Sequence, residues 1–140
     1  MLVNTHEGLD NEGEEAEVVL GGLAGGMEDD AGIGRDVVAW GVRESVPKQA
    51  KNGEFIIAYE PRWAIGRGIT PAMSDITNMH KIIRDTLIDM GFNDIPILYG
   101  ASVTAQNVRK IINLENVDGV LVGGASLKKQ DFIPIIESAK

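Results

Sequence analysis

The stretch Phe55-Ile56-Ile57-Ala58-Tyr59-Glu60-Pro61-Arg62-Trp63-Ala64-Ile65-Gly66-Arg67-Gly68 decides how the rest of the chain is read. The apolar run Phe55 to Tyr59 suits a strand buried on both faces. Glu60 closes that strand, Pro61-Arg62-Trp63 forms a hinge, and Ala64 to Gly68 reads as a small-residue loop. A single carboxylate delivered by a strand beneath a glycine loop suits proton abstraction beside a phosphate group. The strand fixes the base, and the loop can close and exclude water. From residue type alone, a solvated glutamate at a strand end is the competing reading.

Working outward, strand and helix signals alternate toward the C-terminus. Thr70-Pro71 suits a helix start, with Thr as cap and Pro in the first position. Ile76, Met79, Ile82, Ile83, Leu87 and Met90 follow at helical spacing, and Gly91 ends the run. Ile95 to Tyr99 reads as a second strand, with Pro96 near its start where proline is tolerated. Gly100-Ala101-Ser102 turns the chain, and Thr104 can cap a helix carrying Val108, Ile111 and Ile112. Gly119 to Val122 is a third strand, followed by the Gly123-Gly124 turn. A last helix is expected over residues 130–139, burying Phe132, Ile135 and Ile136. Three successive βα units imply an α/β fold with a parallel sheet and right-handed crossovers.

Upstream the signals thin. Val18 to Leu20 can form a strand, and Asp36 to Val46 a helix with Val37, Val38, Trp40 and Val42 as its apolar set. The net charge of −8 is unevenly placed. Residues 1–36 hold ten acids and one base, Arg35, so the remainder of the chain is nearly neutral. That pattern offers no basic footprint for nucleic acid. An anionic ligand would have to be held by local dipoles. Residues 1–16 read as an acidic tail, and residues 17–140 as one domain. The absence of cysteine excludes disulfides and thiol chemistry. No run of about 18 apolar residues suggests a membrane span, and the N-terminal residues lack a signal-peptide pattern, so a cytoplasmic location is the expectation. His6 falls in the acidic tail, and His80 is expected at the surface or edge of its helix.

Three blocks of this sequence resemble the triosephosphate isomerase family. Ala58 to Gly68 is similar to A-Y-E-P-V-W-A-I-G-T-G. Ile97-Leu-Tyr-Gly-Ala-Ser-Val103 is similar to I-L-Y-G-G-S-V, and Val117 to Leu127 to V-D-G-A-L-V-G-G-A-S-L. The likeness is dense from about residue 54 to 140, weaker over 31–53, and absent before that. Long blocks in matching order are far more specific than a lone glycine motif.

The resemblance implies the C-terminal half of a (β/α)8 barrel, about four βα units of a fold that needs roughly 250 residues. It implies interconversion of glyceraldehyde 3-phosphate and dihydroxyacetone phosphate through an enediolate, without cofactor or metal. Glu60 would be the catalytic base. The family is a standard example of a glutamate base beneath a closing loop, so this role follows from the likeness. Gly66, Ser102, Gly123 and Gly124 would bind the substrate phosphate. Pro61, Arg62, Trp63, Ala64, Ile65, Arg67 and Gly68 would form the lid, with Tyr99 contacting it. The implied partner is a small phosphorylated triose, with neither nucleic acid nor membrane. Full-length members are homodimers, a state the resemblance leaves open for this chain.

Four positions depart from the family pattern: Arg62, Arg67, Ala101 and Pro71. Pro71 lacks the N–H through which relatives latch the tyrosine matching Tyr99. The family's Asn-x-Lys and G-H-S-E-R-type motifs, which supply a substrate-binding lysine and a carbonyl-polarising histidine, are not found in these residues. The isolated chain is therefore expected to be inactive, because such groups act as a unit. The alternatives are a non-catalytic phosphate-binding half barrel and a half barrel that self-associates to cover its sheet edges.

Overall fold

The computed structural model describes residues 16–21, 31–61, 64, 68 and 70–139, with backbone alone for 16–21 and 31–34. In chain order these are β1 (Ala16–Gly21), α1 (Ala31–Ser45), β2 (Phe55–Glu60), α2 (Met73–Asp89), β3 (Ile97–Ala101), α3 (Val108–Ile112), β4 (Gly119–Val122), a 3-10 turn (Gly124–Leu127) and α4 (Lys129–Ser138). The sheet order is β1-β2-β3-β4, and every pairing is parallel. This is the βα alternation that the sequence implies, laid out as half of a barrel. The expected acidic tail lies outside the described residues, except that Ala16 opens β1.

Register divides the sheet into two faces. Tyr59 pairs with Tyr99 and Tyr99 with Val120, while Ala58 pairs with Leu98 and Leu98 with Gly119. Side chains alternate along a strand, so Phe55, Ile57, Tyr59, Ile97, Tyr99, Val120 and Val122 share one face. The helices cover it. Val38, Val42 and Val46 from the α1 segment, Ile76, Ile83 and Leu87 from α2, Val108 and Ile111 from α3, and Ile135 from α4 all join the same core. Burying each such side chain contributes about 1.5–3 kcal/mol. The other face carries Ile56, Ala58 and Glu60, then Leu98 and Gly100, then Gly119 and Leu121, and no helix of the described residues covers it.

That second face alternates large and small residues between strands. Glu60, Gly100 and Leu121 lie level with one another, and so do Ala58, Leu98 and Gly119. A Cβ at Gly119 would lie 2.9 Å from Leu98 Cδ2, so the leucine leans into the space that the glycine leaves. Layers filled by side chains from alternate strands are how a (β/α)8 barrel packs its interior.

Several local expectations need correction. The α2 helix begins at Met73 with Ala72 as N-cap, and no side chain caps it. Thr70 is not that cap, because its hydroxyl accepts from Asn107 Nδ2 at 3.1 Å. The helix ends as Gly91 allows: at φ 90° it lets Gly91 N–H reach Ile88 O and Phe92 N–H reach Leu87 O, a Schellman closure. In α4 only Ile135 is fully buried. Phe132 is half-buried and Ile136 is 45% exposed, since the helix lies at the margin of the sheet. Trp40 is likewise exposed, leaving Val38 and Val42 to anchor α1.

His80 is the largest correction. It is fully buried rather than at a surface, because the turn of α2 that carries it packs on the tyrosine pair of the sheet. Its ring meets Tyr59 edge-on at 5.9 Å and lies 6.3 Å from the Tyr99 ring. Its Nδ1 lies 3.0 Å from Asn116 O. A carbonyl can only accept, so the proton of the neutral ring sits on Nδ1. Asn116 presents that carbonyl from a left-handed backbone, φ 64°, which asparagine tolerates.

Candidate active site

Glu60 stands at the C-terminal end of β2, half-buried, on the face without helices. Active sites of parallel βα folds form at this end of the sheet. The register that pairs Tyr59 with Tyr99 brings Glu60 level with Gly100. The two nearly touch: a Cβ built on Gly100 would lie 2.8 Å from Glu60 Cγ, 2.9 Å from Oε1 and 3.2 Å from Cδ. The carboxylate therefore rests over the bare backbone of β3.

The segment that follows Glu60 is tied down at its near end. Pro61 and Ala64 are buried, and Ala64 N–H donates to Pro61 O at 2.9 Å. Ser102 Oγ donates to Ala64 O at 3.0 Å, joining this turn to the residues after β3. The far end is tied by Asn107. Its Nδ2 donates to Thr70 Oγ1 at 3.1 Å and to Ser102 O at 2.7 Å, while its Oδ1 accepts from Thr104 N–H at 2.8 Å. One amide thus holds the loop's exit to the β3–α3 connection. The sequence reading missed Asn107; the spacing Thr104-x-x-Asn107 just before a helix was the available signal.

Gly68 has φ 66°, and a Cβ built on it would meet no atom of the described residues within 4 Å, which fits a turn that only glycine makes cheaply. Arg62, Trp63, Ile65, Gly66 and Arg67 lie outside the described residues. Gly123 and Gly124 stand at the end of β4 where the 3-10 turn begins, and a Cβ on either would meet nothing within 4 Å. Ser126 closes that turn, with both N–H and Oγ donating to Gly123 O. Glu60, Ser102 and the Gly123-Gly124 pair thus sit at or just beyond the C-terminal ends of three adjacent strands.

Tyr99 is different. It lies on the helix-covered face, and its buried hydroxyl has no hydrogen-bond partner among the described residues. Burial, then the neighbouring Tyr59 phenol, pushes its pKa up to about 12. Pro71, also buried, has no N–H to offer it. A shallow cavity of about 460 Å³ among the described residues is lined by Ala105, Gln106, Arg109, Lys110, Asn113 and Ser138, and not by Glu60. The site is thus an open face rather than a closed pocket.

Behind the site, an ion pair fastens β3 to β4. Arg84 donates to Asp118 at 2.6 Å and to Ile95 O, while the same Asp118 oxygen accepts Ile97 N–H at 2.8 Å. Asp118 N–H returns a bond to Ile97 O. This clasp sets the height of β3, and hence of Gly100, beside its neighbours.

Four parallel βα units with a carboxylate at a strand end and glycine turns beyond the next strands define half of a barrel-type enzyme. The family model for triosephosphate isomerase matches residues 25–139, and the chain belongs to that family. Triosephosphate isomerase of Xanthobacter flavus is 47% identical over 112 residues, covering 78% of this chain and 45% of that protein. The Rhizobium meliloti (strain 1021) enzyme is 40% identical over 125 residues, covering 86% of this chain and 49% of its own length. The crystal structure of triosephosphate isomerase from Bartonella henselae superposes with a TM-score of 0.72 at 31% identity, over 88% of this chain and 49% of that one. The chain therefore spans about half the length of the curated relatives it matches. No described helix is long and apolar enough to cross a membrane.

Proposed function

We propose that this chain supplies the catalytic-base half of a triosephosphate isomerase. Glu60 moves a proton between adjacent carbons of a phosphorylated triose, interconverting glyceraldehyde 3-phosphate and dihydroxyacetone phosphate through an enediolate. The observation that carries the reading is the position of Glu60, at a strand end on the unroofed face and beside a loop pinned at both ends by Ser102 and Asn107. Amides of Gly66, Gly123 and Gly124 and the Ser102 region hold the phosphate, and the segment around Gly68 excludes water. The carbonyl-polarising groups come from four further βα units, which also roof the open face. The reaction belongs to the cytoplasm.

The test combines this chain with a separately produced chain carrying the first four βα units of a relative. Triose phosphate isomerisation is assayed for each alone and for the mixture. The reading expects turnover in the mixture, lost when Glu60→Ala replaces the parent. A stable one-to-one complex without turnover would overturn it.

A further inference from the structure

Two kinds of constraint distinguish five of the described glycines, namely a left-handed backbone or a filled side-chain space. Gly53, Gly68 and Gly91 have positive φ and empty space where a side chain would be. They are glycines because of the backbone. Gly100 is the reverse: it lies within β3, its φ is not in the left-handed region, and the space beside it is already filled by Glu60. An alanine could adopt that backbone but not that space.

We propose that Gly100 is a positioning residue whose missing side chain fixes where the Glu60 carboxylate rests. The inference builds on the reading of Glu60 as the base. The close approach involves Cγ at 2.8 Å as well as Oε1 at 2.9 Å. Cγ is one bond from a Cβ fixed by the strand, so a terminal twist cannot relieve the overlap. Relief needs rotation about χ1, and that swings the whole carboxylate away. Gly119 provides the contrast, because the atom crowding it is a terminal methyl of Leu98, 2.9 Å away, which can turn aside. The notch thus gives a flexible acidic side chain one resting place, as a general base requires before geometry and pKa can be matched.

The test uses the whole chain as Gly100→Ala, Glu60→Ala, the double variant, and Gly119→Ala as control. Stability is read from the urea midpoint, and the Glu60 carboxyl from its carbon-13 NMR titration. Gly100→Ala should lower the midpoint and shift both the resonance and its titration, and Glu60→Ala in the same chain should restore most of the lost stability. Gly119→Ala should leave the Glu60 resonance in place. In the complemented enzyme, Gly100→Ala should lower kcat by about 10²-fold, the usual consequence of a ~1 Å misplacement, with KM little changed. Equal destabilisation with and without Glu60, or an unmoved carboxyl resonance, would overturn the proposal. Should Gly100→Ala fail to fold, the double variant decides: recovery supports the notch, and continued failure refutes it. These readouts stand apart from turnover, so the notch and the role of the base can fail separately.

Discussion

The two faces of this sheet obey different rules. The helix-covered face is sealed by hydrocarbon: Ile57, Ile97 and Tyr99 are completely buried against α1, α2 and α3, and even a histidine is enclosed there. The other face is built from the same strands, one residue out of phase. Its large side chains, Ile56, Leu98 and Leu121, remain only half-buried, because the layers they begin are not completed. Burial is concentrated on the first face, and the proposed base, Glu60, stands on the second. A strand can serve both because its side chains alternate, so Tyr59 anchors the core while Glu60, the next residue, faces the open side.

The largest expected effect breaks this division on the chemical side. Glu60→Ala should reduce turnover of the complemented enzyme by about 10²–10⁴-fold, the usual contribution of a positioned acid–base group. Thermal stability of the chain should stay close to the parent. Next comes a matched pair on neighbouring strands. Ile57→Ala removes a fully buried side chain and should cost about 2–5 kcal/mol in urea unfolding. Leu98→Ala on the open face should cost clearly less in the isolated chain, and more once the other four units are bound. Equal costs in the isolated chain would mean that the open face is already covered in solution, and the contrast would collapse.

A pH series sharpens the same contrast from inside the core. Burial is the chief reason that the pKa of His80 falls from 6.5 to about 4; Arg84 also lowers it, while the Asn116 carbonyl and Asp118 push the other way. Below pH 6.5 the unfolded chain takes up a proton at this position that the folded chain refuses. His80 therefore costs no stability above that pH, destabilises progressively as pH falls from about 6.5 to 4, and has no further effect below about 4. The full loss is on the order of 3 kcal/mol. Unfolding free energies measured from pH 7.5 to 4 should fall with this slope in the parent and more shallowly in His80→Gln. Parallel curves would mean that the ring is reached by water.

Much of this was legible in the sequence, for physical reasons that also explain the misses. Phe55 to Glu60 could be read because the run is apolar without interruption and its end is marked by a charge and a proline, although on the face without helices Ile56 stays half-buried. Glu60 and the Gly123-Gly124 pair could be singled out only through the long family-like blocks that contain them, because a strand-end glutamate or a glycine pair is commonplace on its own. His80 could not, since helical spacing shows which residues share a face but not that a polar ring will be enclosed. The spacing Ile76, His80, Ile83, Leu87 is in hindsight one stripe, with the histidine as a core member. Asn107 and the Arg84–Asp118 clasp bridge 37 and 34 residues of sequence, a separation no local pattern records. The space beside Gly100 depends on register between two strands, and register is a property of the folded sheet.

The smallest effect tests one of the two buried side-chain atoms that lack a hydrogen-bond partner among the described residues, His80 Nε2 and the Tyr99 hydroxyl. Tyr99 fills the core with its ring, but its hydroxyl is buried without a hydrogen bond among the described residues. A buried donor that has given up water for nothing costs about 1–3 kcal/mol, whereas the ring itself is wanted. Tyr99→Phe keeps the ring and removes the cost. The variant should therefore be as stable as the parent or more stable by about 1 kcal/mol, a rise in Tm of a few degrees. The family likeness points the other way, to a hydroxyl that holds the lid, and Pro71 is the reason to doubt it here. A loss of stability in Tyr99→Phe, together with weaker protection of residues 64–70 from proteolysis, would show that the hydroxyl reaches the loop after all. The covered face would then act on the chemistry of the open one, and the separation between them would be narrower than burial alone suggests.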